Sequence, residues 1–210
     1  MLARHAVLMV ALFLPLAAGA QAKGAAWQVS VAFNDPHSRD TVQLMLDAPL
    51  EVINGVSNAV KGTAKVEGNK ASGRFAVPVS SIKTGNETRD GHLRNDRWMD
   101  AAKFPEIAFE FKDVALPEPL ESGKPVKIKT TGKFTIKGVT REEPVEVTAQ
   151  YFKESAETKF RAAGDLLRLR AKFRIPIEAY GIKRTEAFLL KVGEYAEVSV
   201  DAWGSTQFKL

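Results

Sequence analysis

The sequence predicts an all-β domain of antiparallel strands, because its apolar residues recur with a period of two rather than 3.6. In a strand with one buried and one solvated face, apolar and polar residues alternate. About eight such segments follow one another, and only one stretch of the chain has the character of a helix. The apolar positions that show the alternation are Trp27, Val29, Val31 and Phe33; Val42, Leu44 and Leu46; Phe75, Val77 and Val79; Ile107, Phe109 and Phe111; Val126, Ile128, Phe134 and Ile136; Leu167, Leu169, Ala171, Phe173, Ile175 and Ile177; and Ala196, Val198, Val200 and Ala202.

A two-residue turn at Lys137-Gly138 is the clearest hairpin signal in the chain. Glycine readily adopts the positive φ that a tight hairpin requires. Pairing the chain across this turn sets Lys133 opposite Glu142 on one face and sets apolar residues opposite each other on the other face, which stabilises paired strands. Pro144 has no N–H to donate, so the sequence predicts a bulge or an edge at that position.

The one predicted helix runs from about Thr88 to Met99, between a turn at Gly85-Asn86 and Pro105. Asn86 or Thr88 is expected to cap the helix, since short polar side chains accept hydrogen bonds from its first free N–H groups. Acidic residues in the first turn suit the positive end of the helix dipole. This segment could also bind an anion, but capping alone accounts for its composition.

The first twenty residues have the composition of a secretory signal peptide. Arg4 gives a basic start, and the charge-free apolar run from Ala6 to Ala18 is too short to span a bilayer and leads into small residues. We expect residues 1–20 to be cleaved, residues 21–210 to form a single domain, and the protein to be periplasmic or secreted. The chain contains no cysteine, so this domain must be stable without disulfides.

The formal net charge of +5 is modest for a chain of 210 residues. It does not indicate a nucleic-acid binder, and we expect no nucleic-acid partner. It permits transient contact with an anionic membrane surface. The basic stripe from Arg168 to Arg174 could make that contact, although strict alternation is typical of the solvated side of a strand. The sequence leaves the oligomeric state open, a homodimer included.

Signals for catalysis and metal binding are weak. Ser81, Asp90 and His92 supply the residue types of a hydrolase triad, but no Gly-x-Ser-x-Gly elbow accompanies them, so a hydrolase is only a second alternative. His37 lies in the polar run Asp35–Asp40, which is more typical of a turn than of a metal site, and no His-Glu-x-x-His motif is present. We therefore expect a non-enzymatic protein without catalytic residues, metal or cofactor.

Several segments between residues 27 and about 203 form a set of motifs. They are Pro36-His37-Ser38; Gly55 with Val60-x-Gly62; Ser81-Ile82-x-Thr84-Gly85-Asn86-x-x-Arg89-Asp90-x-His92-Leu93-Arg94; Phe104-Pro105-x-Ile107-x-Phe109; Phe134-Thr135-Ile136-x-Gly138-Val139-Thr140; and Tyr180-Gly181-Ile182. Together they resemble the YceI-like family of periplasmic polyisoprenoid- or lipid-binding proteins. The central motif is long and specific. After the Pro-His-Ser match family members often carry a further histidine, whereas this chain has Arg39-Asp40.

The resemblance implies an antiparallel lipocalin-like barrel of about eight strands, with one short helix closing or flanking one end. Periodicity alone fits a two-sheet sandwich equally well. The family function implied is sequestration of a polyisoprenoid or similar long-chain amphiphile in the apolar interior. The alternative is a non-enzymatic periplasmic stress or surface-interaction protein with a filled core.

Side chains expected on the inner wall are the candidates for contact with a ligand. The hairpin register places Arg141 on the inward side opposite Phe134, so Arg141 is the candidate for contacting a head group, with a private salt bridge as the alternative. The apolar candidates are Phe75, Leu93, Trp98, Ile107, Phe109, Phe111, Phe134, Leu169 and Phe173, of which Leu93 and Trp98 are expected to close one end.

Overall fold

The structure, a computed structural model, describes residues 28–210, which contain ten antiparallel strands and one α-helix. The predicted signal peptide lies outside the described residues. The elements are β1 (Gln28–Phe33), β2 (Thr41–Ala48), β3 (Glu51–Ser57), β4 (Lys61–Glu67), β5 (Lys70–Pro78), α1 (Glu87–Arg94), β6 (Glu106–Ala115), β7 (Pro125–Ile136), β8 (Val139–Phe152), β9 (Leu166–Pro176) and β10 (Tyr195–Ser205), with 3₁₀ turns at Val79–Ser81, Thr158–Phe160, Ile177–Tyr180 and Glu186–Phe188.

Eight of the strands close a barrel. Strands β4 to β10 follow β1 in order around the sheet, and β1 returns to β10 where Ala32 lies opposite Ser205. The predicted antiparallel lipocalin-like barrel is therefore confirmed. Closure leaves no free edge along the barrel wall at this point, which is how small β-domains avoid edge-to-edge association.

The hairpin formed by β2 and β3 lies outside the eight strands of the barrel. The alternation predicted β2 but neither β3 nor β4. β10 is longer than its contact with β1, and its first half pairs instead with β2, from Ala196 opposite Leu46 to Asp201 opposite Thr41. At the far side of this hairpin, Val56 of β3 bridges to Lys83, just beyond β5. The hairpin thus fills the part of the wall that β1 and β4 do not reach.

The β7–β8 hairpin has the predicted register, with Lys133 opposite Glu142. Both turn residues have positive φ, 48° at Lys137 and 76° at Gly138, as a turn matched to the right-handed strand twist requires. Pro144 lies on a stretch of β8 that does not pair with β9, because that pairing begins at Val147. The missing N–H of Pro144 therefore interrupts no ladder on that side.

Helix α1 is confirmed in position but is shorter than predicted, since it ends at Arg94 rather than near Met99. Asn86 caps its start by accepting a hydrogen bond from the Arg89 N–H at 3.0 Å. The early end has a local cause. The side chain of Asn95 accepts hydrogen bonds from the N–H groups of the following turn, and such bonds compete with helix continuation.

The buried side chains form two clusters at opposite ends of the barrel. The first, which we call the packed end, is centred on Val31, Phe33 and Val126. The second, which we call the lid end, lies beneath α1 and the 3₁₀ turns after β9 and includes Val79 and Tyr180. The interior is therefore solid at one end, and the two clusters meet around a row of phenylalanines.

Six phenylalanine rings, the phenylalanine row, lie in continuous contact through the interior. Neighbouring ring centroids lie between 4.5 and 5.9 Å apart, which is the range of favourable aromatic contacts. The row passes from one cluster to the other. Its members, in order of contact, are Phe33, Phe75, Phe111, Phe109, Phe134 and Phe173.

Four of these rings lie against glycines of the wall. A Cβ at any of the four glycines would lie closer than 3.0 Å to a ring carbon, a distance that packed atoms do not adopt. Each ring thus occupies the space that a wall side chain would otherwise take. The seated pairs are Phe33 on Gly204, Phe75 on Gly62, Phe111 on Gly73 and Phe109 on Gly132.

Charged side chains are buried beside the packed end, in the connection from β1 to β2. Asp35 accepts hydrogen bonds from Arg39 at 2.8 and 2.9 Å, and its Oδ2 lies 3.2 Å from Arg161. Asp40 is fully buried, and its Oδ1 accepts a hydrogen bond from the Trp203 N–H at 2.8 Å. Its Oδ2 has no hydrogen-bond partner within residues 28–210.

Burial raises the pKa of Asp40 to about 6, because desolvation disfavours the carboxylate. Nearby Asp35 and Asp201 raise it further, against the opposing effects of the Trp203 N–H and the Arg161 charge. Burial also raises the pKa of Asp35, but the hydrogen bonds and charge of Arg39 outweigh it and lower that pKa overall. The two neighbouring carboxyl groups therefore titrate in different pH ranges.

Gly132→Ala should destabilise the fold by about 1–3 kcal/mol, because the new methyl group overlaps the Phe109 ring. Urea unfolding measures the change. Gly91→Ala is the matched control, since no atom lies within 4 Å of the corresponding Cβ and alanine favours a helix. Adding Phe109→Leu to Gly132→Ala should recover part of the loss. Equal stability of Gly132→Ala and the wild type would show that the Phe109 ring does not pack against Gly132.

Asp40→Asn should remove a pH-dependent loss of stability. The folded-state pKa of about 6 lies above the ordinary value of 3.8, so the folded protein binds this proton more tightly than the unfolded chain. Stability from this group is present below the unfolded pKa and falls as the pH rises from about 4 to about 6. A pKa difference of about two corresponds to on the order of 3 kcal/mol.

The measurement is the free energy of unfolding between about pH 4 and pH 7. Asparagine keeps an oxygen for the Trp203 N–H, so the stability of the variant relative to the wild type should rise across this window. Asp113→Asn, at an exposed position of β6, should instead run parallel to the wild type. Parallel profiles for Asp40→Asn as well would show that this carboxyl group does not titrate there.

Candidate functional site

A cavity of about 250 Å³ lies inside the barrel between the phenylalanine row and the lid end. All the strands except β1 and β4 contribute to its lining, as do α1 and the segments after α1 and β9. Among the lining residues only Ser57, Trp98 and Tyr180 have a polar side-chain atom. The remainder of the wall is aliphatic, aromatic or thioether, so the cavity suits hydrocarbon rather than water.

The two hydroxyl groups of the wall, on Ser57 and Tyr180, are already hydrogen-bonded. Ser81 Oγ donates to the Pro78 carbonyl at 2.6 Å, so the 2.7 Å contact between Ser57 and Ser81 is a bond that Ser57 donates. Ser57 Oγ also accepts from the Ala59 N–H at 3.2 Å. Tyr180 donates its hydroxyl proton outward to Glu143. Within residues 28–210, the buried side-chain atoms without a hydrogen-bond partner belong to Asp40 and Arg161, which do not line the cavity.

The structure brings most of the predicted contact residues together around this cavity, although their contact with a ligand stays a prediction. Phe111 does not line the cavity. It lies behind the wall, stacked on Phe75 and Phe109 with centroids 5.9 Å away in each case. The candidates that do line it are Phe75, Leu93, Trp98, Ile107, Phe109, Phe134, Leu169 and Phe173.

Arg141 does not line the cavity either. It lies opposite Phe134 as the hairpin register requires, yet its side chain is 51% exposed. This part of β8 extends past the end of the interior, so its inward side faces solvent. The Arg141 Nε lies 3.7 Å from Glu143, which also accepts the Tyr180 hydroxyl at 3.0 Å. Arg141 therefore has the salt bridge that was its alternative role.

The central motif holds α1 over the barrel. Asp90 accepts hydrogen bonds from the N–H and the hydroxyl of Thr84, at 2.8 and 2.7 Å, and the hydroxyl bond is the main cause of the lowered pKa of Asp90. Arg89 reaches Glu51 of β3 with an N–O distance of 2.6 Å. The helix is thus fastened to both the segment before it and the β2–β3 hairpin, and the polar density of the motif is structural.

The second part of the lid is the segment that follows β9. Phe188 lies edge-on to Trp98 with centroids 5.4 Å apart, and the Arg97 guanidinium lies 4.7 Å from the centre of the Phe188 ring. Arg97 also donates to the Thr185 hydroxyl at 3.1 Å. We call this contact, made by Arg97, Trp98, Thr185 and Phe188, the latch, because it joins the two halves of the lid.

Sequence reasoning did not identify the contribution of the segment after β9. Tyr180 and Ile182 line the cavity, as does Val192. Tyr180-Gly181-Ile182 was recognisable as a motif, but nothing in its spacing shows that it folds back over the barrel end. Gly181 has a φ of 74°, which permits that reversal.

The hydrolase alternative is not supported by the geometry. Ser81 donates its proton to a backbone carbonyl, and Asp90 accepts from Thr84 rather than from a histidine. His92 is an exposed residue of α1. The three residues therefore do not form the hydrogen-bonded chain that activates a serine.

Other sequence signals have ordinary structural roles in the described part of the chain. Residues 28–210 contain no group of three or more His, Cys, Asp or Glu side chains arranged to hold a metal ion. None of the helices in this range is long and apolar enough to cross a membrane. In the basic stripe, Arg168 is hydrogen-bonded to Asp201 and Arg174 lies 3.6 Å from Glu197, so acidic residues of β10 offset part of its charge. Membrane contact remains a prediction.

Comparison with known proteins gives several matches. A UPF0312 protein of Staphylococcus aureus strain N315 is 38% identical over 68 residues, which is 32% of this chain and 33% of that protein. The chain thus matches about a third of the length of this curated relative. Burkholderia cenocepacia BcnA has a similar structure, with a TM-score of 0.59, 18% identity and coverage of 79% of this chain and 96% of that one.

A polyisoprenoid binding domain from Saccharophagus degradans superposes with a TM-score of 0.61 and 11% identity, covering 85% of this chain and 99% of that one. At these identities the two solved structures show a shared fold. The family model of the YceI-like domain matches residues 29–203, which is nearly the whole described barrel. The chain belongs to the YceI-like family.

Proposed function

We propose that this protein is a carrier that buries the hydrocarbon chain of an isoprenoid or similar amphiphile inside its barrel. The observation that carries the proposal is the apolar cavity, because none of the buried side-chain atoms without a hydrogen-bond partner in residues 28–210 lies in its wall. Such a wall favours hydrocarbon, because a buried polar group without a partner costs free energy. The polyisoprenoid-binding domain of similar fold supports an isoprenoid as one ligand class.

The energetics of burial suffice for binding. A chain that buries about 300 Å² gains about 7 kcal/mol at ~25 cal/mol per Å². Loss of translational and rotational freedom offsets at least about 4 kcal/mol of this gain. At most about 3 kcal/mol then remains, which corresponds to weak binding with a dissociation constant in the millimolar range and suits a carrier that must also release its ligand.

The polar head of the ligand would lie at the lid end. In the described part of the chain, no buried side-chain atom of the cavity wall lacks a hydrogen-bond partner that a head group could replace, and the packed end is filled by buried side chains. The latch lies between the two halves of the lid, with Arg97 and Thr185 at its polar edge. Loading and release would then require the latch to open.

Export is part of the proposal. Residues 1–20 have the composition of a signal peptide, so the carrier would act in the periplasm or outside the cell. No reaction is proposed, because the hydrolase candidates do not form a triad. Native mass spectrometry of the protein purified from its exported form, followed by solvent extraction, tests both parts. A lipid in the extract supports the carrier, and absence of lipid together with no uptake of added isoprenoids opposes it.

The cavity argues against the alternative of a surface-interaction protein with a filled core. The packed end is filled, but the lid end encloses a cavity of about 250 Å³. A protein that needs only a solid scaffold gains nothing from such a cavity, because every void costs packing energy.

Ala171→Asp should abolish ligand retention. Ala171 lies on the cavity wall between Leu169 and Phe173, so the new carboxyl group would lie in hydrocarbon surroundings and oppose burial of an apolar chain. We expect at least about a 100-fold loss of affinity, measured by titration with an isoprenoid alcohol, since an unpaired buried polar group costs about 1–3 kcal/mol and a charge costs more.

Lys172→Asp is the matched control, because Lys172 is exposed on the outer face of the same strand. Circular dichroism establishes that each variant is folded. Phe173→Glu tests the same wall independently, should Ala171→Asp unfold. Normal loading by both folded wall variants would show that the cavity does not hold the ligand.

Phe188→Ala should speed ligand release about three- to tenfold, because an edge-to-face aromatic pair contributes roughly 0.5–1.5 kcal/mol to the closed lid. Transfer of a fluorescent fatty acid from the protein to lipid vesicles measures the rate. Phe160→Ala is the control, since Phe160 is 91% exposed. An unchanged rate for Phe188→Ala would place the exit elsewhere.

A further inference from the structure

The cavity ends at a floor of phenylalanine rings. Phe75 lines the cavity, and its ring contacts Phe33 edge-on at 4.8 Å and stacks on Phe111 at 5.9 Å. Neither Phe33 nor Phe111 lines the cavity, and Phe33 is completely buried. These rings form a floor under part of the cavity, and Val60 and Ala202 of the packed end line the cavity beside them. A ligand chain meets this floor before it has crossed the barrel.

The floor cannot easily move toward the packed end. Phe75 lies against Gly62, Phe111 against Gly73 and Phe33 against Gly204, with backbone where a side chain would otherwise give way. Behind the rings, Val31 and Val126 are almost completely buried. Close-packed interiors resist displacement, so the depth available to a ligand is fixed by the strands themselves.

We infer that the closed barrel encloses about ten carbon atoms of a single hydrocarbon chain. An apolar cavity of about 150 Å³ accommodates one benzene ring, which has six carbons. By proportion, the cavity of about 250 Å³ holds on the order of ten carbons. This inference rests on the proposed function and narrows it to a ligand class, which is a ten-carbon acyl chain or about two isoprene units.

When a longer chain binds, the carbons that do not fit between the floor and the lid lie outside the cavity. Each methylene within the cavity is removed from water, whereas carbons beyond about the tenth emerge through the lid and add no burial. Because no buried side-chain atom of the wall, among residues 28–210, is left for a head group to bind, the carbons nearest the floor are those farthest from the head group. Affinity therefore depends on chain length up to the floor and not beyond it.

A chain-length series tests this directly. Saturated fatty acids of about six to about eighteen carbons, titrated as monomers by calorimetry, should bind about fourfold more tightly per added methylene up to about ten carbons. Above that length the dissociation constant should level off. Geraniol, farnesol and geranylgeraniol, with about two, three and four isoprene units, should bind with similar affinity.

Two variants move the floor in opposite senses. Phe75→Ala removes one ring, so the affinity should keep rising for up to about six more carbons before it levels off. Ala171→Phe adds one ring to the wall, so the affinity should level off at a shorter chain length. Lys172→Phe, on the outer face, should leave that length unchanged. Phe75→Leu replaces Phe75→Ala if the latter does not fold, with a smaller extension expected.

The outcomes separate this inference from the proposed function. Affinity that keeps rising to the longest chains, or a length profile that neither Phe75 variant nor Ala171→Phe shifts, overturns the inference while leaving a carrier. Failure of the wild-type protein to bind a chain of any length overturns the proposed function and this inference with it.

Discussion

Glycines in the wall decide how the interior of this barrel is filled. At four of the six rings of the row, the neighbouring strand has a glycine beside the ring, and the ring lies in the space of the missing side chain. This seating lets Phe33, Phe75 and Phe111 pack in layers across a barrel that is otherwise wide enough to stay hollow. One half of the interior is therefore solid, and the other half holds the cavity.

The local pattern of the sequence was sufficient for much of this architecture. Period-two alternation predicted most of the strands, although not β3 and β4. Charge pairing across Lys137-Gly138 predicted the register of β7 and β8. Both kinds of signal depend on residues close in the chain. The β2–β3 hairpin could not be placed in the same way. Its position depends on β10, whose pairing with β2 joins residues about 150 positions apart, and no local signal reports such a contact.

The candidate site shows the same division between local and distant information. Wall residues such as Phe109 and Phe173 could be named because inward positions follow from alternation. Phe111 occupies an inward position too, but lies behind another ring, and Arg141 lies beyond the end of the cavity. Alternation predicts on which side of the sheet a side chain lies, but not its position along the barrel axis. Tyr180 and Phe188 were missed because their segment is irregular and folds back over the end.

The two ends of the barrel differ in what would have to break for a ligand to enter. At the packed end a chain would displace fully buried side chains and disturb Asp35 and Asp40, whose burial is tolerated only with Arg39, Arg161 and the Trp203 N–H in place.

At the lid end, far less must give way. Helix α1 is fastened by Asp90 and Arg89 and can stay in place, while the segment after β9 meets it through the latch. An edge-to-face aromatic pair and an exposed hydrogen bond are weak enough to open often. In the proposed carrier, a barrel that is solid at one end and lightly closed at the other would admit a chain in one direction, with its polar group left at the lid. This polarity follows from where the glycines allow the rings to lie.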